Sequence, residues 1–151
     1  MPDVSPLQED MARRIADSFA KQAFMNTLGA RLLHVGAGEI EIDLPVSRHL
    51  TQQHGFVHAG AVASIADSAA GYAALTTMPA GVGVLTAEFK INLLAPAAGE
   101  RLLAKGKVIK AGRTLTLAMA EVFAISGGTT KLCAMLTATC MTIAGREGVS
   151  D

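Results

Sequence analysis

The sequence predicts an α+β fold in which one long helix is wrapped by an antiparallel sheet. From His58 to Thr77 the chain is rich in Ala and Gly, and Asp67 is its only Asp, Glu, Lys or Arg. A helix with so few polar positions is buried on most sides. From Val84 to Ile143 the chain alternates strand-like segments with short turns containing Gly or Pro, the pattern of antiparallel pairing. The 151 residues suit one domain with one sizeable core,. Five or six strands are enough to curl around a single helix.

The elements follow in order. Between Ser5 and Asn26, Leu7, Met11, Ile15, Phe19 and Ala23 recur at helical spacing, opposite Glu9, Asp10, Arg13, Arg14, Asp17 and Lys21. Residues 1–26 therefore read as an N-terminal amphipathic helix, capped near Ser5 and ended before Gly29. Leu32 to Val35 is a short strand and Gly36 to Gly38 a turn. Glu39 to Leu44 alternates strictly until Pro45 closes it,. A polar loop over 46–57 leads into the central helix. In Val84 to Leu94, Phe89, Ile91 and Leu93 alternate with Glu88, Lys90 and Asn92. Arg101–Lys110, Thr114–Ala124 and Thr130–Ile143 follow as three strands of a meander, joined at Gly112 and at Gly127-Gly128. Residues 27–144 form the domain, and residues 145–151 read as a disordered tail. Strands this long leave an edge to be covered, so a dimer is the minimum expectation.

Composition removes several functions. Thirteen basic residues balance thirteen acidic ones and are scattered, so no field draws the protein to nucleic acid. Half of the residues are hydrophobic, but only 4% are aromatic. Cys133 and Cys140 lie seven apart in one strand, an odd offset that places them on opposite faces and speaks against a disulfide,. Four separated histidines and no C-x-x-C give no zinc site,. The N-terminus lacks the basic start and apolar core of a signal peptide, which predicts a reduced, cytoplasmic protein,. The near charge-free run from Gly55 to Ala87 is long enough to span a bilayer, but Pro79, Gly81 and Gly83 interrupt it,. Asp67 sits near its centre, at a cost of roughly 2.5–3.5 kcal/mol on insertion scales,. A buried helix fits better than a membrane span.

The chemistry concentrates in residues 52–71. Asp67 has Ala63, Ser64, Ala70 and Gly71 as its helical neighbours, so no cation on its own helix explains it. Small neighbours leave room for a ligand or a second chain. His58-Ala59-Gly60 opens the helix, where backbone N–H groups are free to meet an anion or a polarised carbonyl,. Gln52 stands in the approach loop, able to hold a carbonyl or a water. His58 suits organising the loop more than shuttling protons.

Together, Gln52, Gly55, His58, Gly60 and Asp67 resemble the signature of the hotdog-fold thioesterases, specifically the PaaI-like acyl-CoA thioesterases. That signature runs Asn or Gln, Gly, His-Gly-Gly, and an acid nine residues after the His. The resemblance extends from about Met25 to Ile143 and takes in Asn92, Pro96 and Gly112-Arg113-Thr114. It implies that Asp67 is the catalytic acid, as nucleophile or as general base for water. It implies that the Ala59 N–H polarises the thioester carbonyl, beside Gly60, and that Gln52 positions carbonyl or water. Thr86 matches a position that orients that water in some members. Gly112 and Arg113 match a turn near the pantetheine and phosphates of coenzyme A. The resemblance also places the site between two subunits, with Asp67 facing the partner's 52–59 loop. One departure is Ala59, where the family has Gly. The N–H survives, while the methyl group narrows the site.

The expectation is an acyl-CoA thioesterase working as a homodimer or homotetramer, with no metal or redox cofactor and coenzyme A as part of the substrate. Two alternatives are a hotdog dehydratase or hydratase acting on acyl thioesters, and a non-catalytic acyl-CoA-binding module. An apolar acyl pocket suits aryl, medium-chain and branched acids alike.

Overall fold

A computed structural model describes residues 5–151. The expectations that rest on Pro2, Asp3 and the rest of residues 1–4 lie outside it. The elements are α1 (Pro6–Ala20), α2 (Ala23–Leu28), β1 (Arg31–Gly36), β2 (Glu39–Pro45), α3 (Ala59–Thr76), β3 (Gly83–Leu93), β4 (Arg101–Lys110), β5 (Leu115–Ser126) and β6 (Thr129–Ile143). The six strands form one antiparallel sheet in the order β1-β2-β4-β5-β6-β3, curled around α3. This is the α+β arrangement that the sequence predicts, with the meander β4-β5-β6 in place. β3 leaves the meander to pair with β6 and becomes an edge strand.

The amino-acid composition follows from how close α3 lies to the sheet. A Cβ added to Gly106 of β4 would come within 2.1 Å of the Ala69 carbonyl oxygen. Ala104, Ala118, Ala120 and Ala138 carry the same closeness across β4, β5 and β6, all fully or almost fully buried. Helix and sheet approach through alanine and glycine, and larger side chains such as Ile40, Ile65, Leu102 and Leu136 fill the remaining space,. Little room is left for aromatic rings. The helix is not enclosed on all sides, however. Ala63, Ser64, Asp67 and Ser68, at i+3 and i+4 spacing, form a half-buried stripe along α3,.

Several local expectations change. The single N-terminal helix is two, because Lys21 ends α1 and Gln22 takes an extended conformation (φ −75°, ψ 94°). That break lets Gln22 reach Ser68 of α3, whose hydroxyl donates to Gln22 Oε1 at 3.3 Å. Ser5 occupies the N-cap position, but its hydroxyl makes no capping bond, and Pro6 starts the helix instead,. Cys133 and Cys140 are both buried free thiols. The β5–β6 register slips between Val122↔Ala134 and Phe123↔Leu132, so Cys133 sits in a bulge that reverses the facing parity,. Residues 145–151, expected to be disordered, fold back onto α1 and β3. Asp151 accepts a hydrogen bond from the Gly81 N–H at 2.9 Å and meets the Arg14 guanidinium at 2.7 Å.

Candidate active site

The loop before α3 is tightly organised. Thr51 and Val57 bridge its two arms, the Gln52 N–H donates to the Phe56 carbonyl at 2.8 Å, and Gly55 takes a left-handed conformation (φ +86°) that closes the turn,. The Gln52 side-chain oxygen accepts from the His54 N–H. Its two amide hydrogens have no acceptor among the described residues. The Val57 N–H then pairs with the Ala97 carbonyl and the His58 N–H with the Leu50 carbonyl, which fixes where the helix begins.

His58 is the N-cap of α3. Its backbone is extended (φ −60°, ψ 137°), and its Nδ1 accepts from the Gly60 N–H at 2.8 Å,. Neutral His58 therefore carries its proton on Nε2. A Cβ on Gly60 would sit 3.0 Å from that Nδ1, so the glycine makes room for the cap. With the Gly60 N–H occupied, the first free donor of the helix is the Ala59 N–H, exposed and without an acceptor among the described residues. No residue other than glycine has a positive φ in the described chain. Ala59 thus needs no glycine-only backbone angle, and its methyl group alone distinguishes it from glycine. A cavity of about 550 Å³ opens here, bordered by Gln52, His58 and Ala59 on one side and Leu93, Ala95 and Cys133 on the other.

Asp67 lies two turns further along α3, in a second cavity of about 490 Å³. The Thr86 hydroxyl donates to its Oδ1 at 2.8 Å. Burial pushes the Asp67 carboxyl above the ordinary carboxylate range, and the Thr86 hydrogen bond partly offsets that rise,. Cys140 is close enough to feel the same charge: burial, then Asp67, push its thiol up to about 11. The contrast with Asp43 is instructive. That carboxylate is fully buried, but Arg31 at 2.6 Å and Arg101 at 2.8 Å neutralise it and tie β1, β2 and β4 together. Asp67 has a hydroxyl where Asp43 has two guanidinium groups. A half-buried acid with no ion-pair partner among the described residues, beside an open cavity, is arranged to accept a proton or attack a carbon.

The predicted site residues therefore fall into three places. Gln52, His58, Ala59 and Gly60 gather at the N-terminus of α3, and Asp67 and Thr86 lie together in the second cavity. Gly112 and Arg113 occupy the β4–β5 turn at the end of the sheet, bordering neither cavity. Arg113 is exposed. Gly112 is required by close packing, since a Cβ there would meet the Leu115 carbonyl oxygen at 2.2 Å. The sequence reading missed Ser18, Gln22 and Tyr72, which border the Asp67 cavity from α1, the α1–α2 break and α3. Ser18 and Tyr72 share a hydrogen bond of 3.3 Å. Nothing in their spacing along the chain marks them, because Ser18 and Gln22 meet α3 only through contacts 54 and 46 residues apart in sequence.

A family model described as the thioesterase superfamily matches residues 54–131, just over half of the chain. The chain belongs to the thioesterase superfamily. Within it, a thioesterase family protein from Silicibacter pomeroyi is 48% identical, with a TM-score of 0.88, covering 89% of this chain and 99% of that one. The PaaI protein of the E. coli phenylacetic acid degradation operon superposes with a TM-score of 0.81 at 21% identity, over 95% of this chain and 98% of that one. A thioesterase from Haemophilus influenzae shares the fold at a TM-score of 0.77 and 20% identity, over 87% and 90% of the two chains. The resemblance to PaaI-like hotdog thioesterases, first carried by five residues, holds for the whole domain. Among the described residues, no helix of this superfamily member is long and apolar enough to cross a membrane.

Proposed function

We propose that this protein is an acyl-CoA thioesterase that hydrolyses an acyl- or aryl-CoA to the free acid and coenzyme A. The observation that carries the proposal is a desolvated Asp67, without an ion-pair partner among the described residues, on the same helix as an unoccupied N-terminal donor at Ala59. The Ala59 N–H takes the thioester oxygen as it gains charge, and the Gln52 amide donates to the same oxygen or to the lytic water. Asp67 attacks the carbonyl carbon or draws the proton from that water. Thr86 keeps its hydrogen on Asp67 and so fixes the orientation of the carboxylate. Where Asp67 draws the proton from water, departure of the coenzyme A thiolate from the tetrahedral intermediate completes hydrolysis; where Asp67 attacks, that departure leaves a mixed anhydride, which water then opens to the free acid and the carboxylate. Neither route calls for a metal or redox cofactor. Arg113, exposed on its turn, is the candidate partner for the coenzyme A phosphates.

Geometry also favours a site shared between subunits. Asp67 stands eight positions after Ala59 on the helix, about 12 Å along the axis. One carbonyl group cannot touch both within a single chain. β3 offers an 11-residue free edge, and Phe89 and Leu93, on its core-facing side, remain 46% and 55% exposed. Pairing two such edges about a two-fold axis covers them and sets Asp67 of one subunit beside the 52–59 loop of the other. We therefore propose a homodimer, alone or as half of a homotetramer. A dehydratase or hydratase would use a histidine beside its acid; none borders the Asp67 cavity within one chain, and His58 of the facing loop has its Nδ1 engaged as the cap of α3, which favours hydrolysis.

The test is thiol release from aryl-, short-, medium- and long-chain acyl-CoAs, with Asp67→Asn run in parallel. Turnover that falls ~100-fold or more in the variant, the scale of an essential acid–base group, is the expected result. Tight acyl-CoA binding without turnover, indifferent to Asp67, would replace the enzyme with a binding module.

A further inference from the structure

The chain that follows β6 builds one wall of the Asp67 cavity. Gly145 (φ +66°) and Gly148 (φ +76°) turn it back after Ile143, and the Val149 N–H closes the turn onto the Arg146 carbonyl at 3.1 Å. Val149 then packs on Gly83 at the start of β3, so closely that a Cβ on that glycine would lie 2.6 Å from Val149 Cγ1. Asp151 secures the end. Its carboxylate is 4% exposed, held by Arg14 at 2.7 Å and by the Gly81 N–H at 2.9 Å. Arg14 also donates to the Leu75 and Met78 carbonyls beyond the tail, at 2.6 and 3.3 Å, so the anchor for Asp151 is itself fixed to the end of α3. Two glycine turns, one packed valine and one buried ion pair are the parts of a latched strap.

Position decides what the strap does. Gly148, Val149 and Asp151 border the same cavity as Asp67, Tyr72 and Thr86. Among the described residues, Lys21 is the only cation that borders it, and Arg14, behind the tail, is committed to Asp151. The polyanionic nucleotide of coenzyme A would face Asp67 with little to offset its charge. An uncharged acyl group meets no such repulsion, and about 490 Å³ suits one of modest size,. We propose that residues 146–151 close the acyl side of the site and set the largest acyl group that the enzyme accepts, with Asp151 as the latch and Val149 as the wall. This inference rests on the thioesterase reading above.

Asp151→Ala opens the latch in the otherwise unchanged chain, and Asp151→Asn keeps an acceptor for Gly81 while losing the charge. Two readouts separate the strap from the activity. Trypsin cleavage after the exposed Arg146 reports release of the tail and is expected to be at least ~tenfold faster in Asp151→Ala, with Asp151→Asn between,. The ratio of kcat/KM for long-chain over short-chain acyl-CoA is expected to rise ~tenfold in the same variants. Cleavage at the wild-type rate overturns the latch. Faster cleavage with an unchanged acyl preference overturns the wall. A wild-type protein inert toward every acyl-CoA sinks the thioesterase reading and the acyl-size role with it, while the trypsin result still decides whether the tail is latched.

Discussion

Two carboxylates, Asp43 and Asp67, behave oppositely once folded. Asp43 alternates in a strand and is neutralised by arginines from the neighbouring strands. Among the described residues, Asp67 is left with Thr86 alone. Burial raises the Asp67 pKa from its usual 3.8, and the Thr86 hydrogen bond lowers it again in part. The active form is the carboxylate, so kcat/KM should fall on acidification through a value above 3.8,. Thr86→Val removes the lowering contribution, and the acid limb of a pH–rate profile should move to still higher pH. A limb that stays in place would detach Thr86 from the ionisation of Asp67. Ala59 allows a cleaner test of the oxyanion donor. It is the first residue of α3, where proline is tolerated, and His58 before it already holds the extended backbone that a following proline requires,. Ala59→Pro should fold normally by circular dichroism and lose ~10²–10³ in kcat through the missing N–H.

At the scale of elements, the α3–sheet contact governs what the chain tolerates. Gly106 lies under the Ala69 carbonyl with no space for a methyl group. Gly106→Ala should lift α3 from β4 and cost about 3 kcal/mol, the upper end for overpacking, measured by urea unfolding. The sequence marks α3 as buried because its polar positions are few. The stripe of Ala63, Ser64, Asp67 and Ser68 escapes burial because β3, the strand beside it, is a free edge. Three strands of the meander were legible from their glycine turns. The place of β3 was not, since local spacing cannot say whether a strand pairs with the next one or crosses to the far side of the meander. The break at Lys21-Gln22 was also hidden, because Lys and Gln are good helix formers and the contact that goes with the break, to Ser68, lies 46 residues away,.

At the scale of the whole molecule, the proposed site needs two chains. Asp67→Asn and Ala59→Pro each damage every site of a homodimer. Mixed and allowed to exchange subunits, they should recover about a quarter of wild-type activity, because half of the dimers become mixed and each mixed dimer keeps one intact site. Assayed by thiol release, no recovery after proven exchange would return both residues to a single chain. Size-exclusion chromatography of Phe89→Asp tests the same assembly from its edge, with the expected loss of dimer and of turnover together,.

Taken alone, the sequence determined the fold class, the buried Ala-rich helix, most strand positions and the motif that joins the chain to the thioesterase superfamily. These are local or periodic properties: spacing of apolar residues, glycine turns, and residue types at fixed offsets along one loop and one helix. Only the tertiary structure decided that Thr86 is the partner of Asp67, that Ala59 keeps the free donor while His58 takes up the Gly60 N–H, and that residues 146–151 pack beside the acid. Each of those depends on contacts between segments far apart in the chain or on the fine geometry of a cap. Hydrophobic patterning sets which face a side chain takes, and long-range packing sets which partner it meets there.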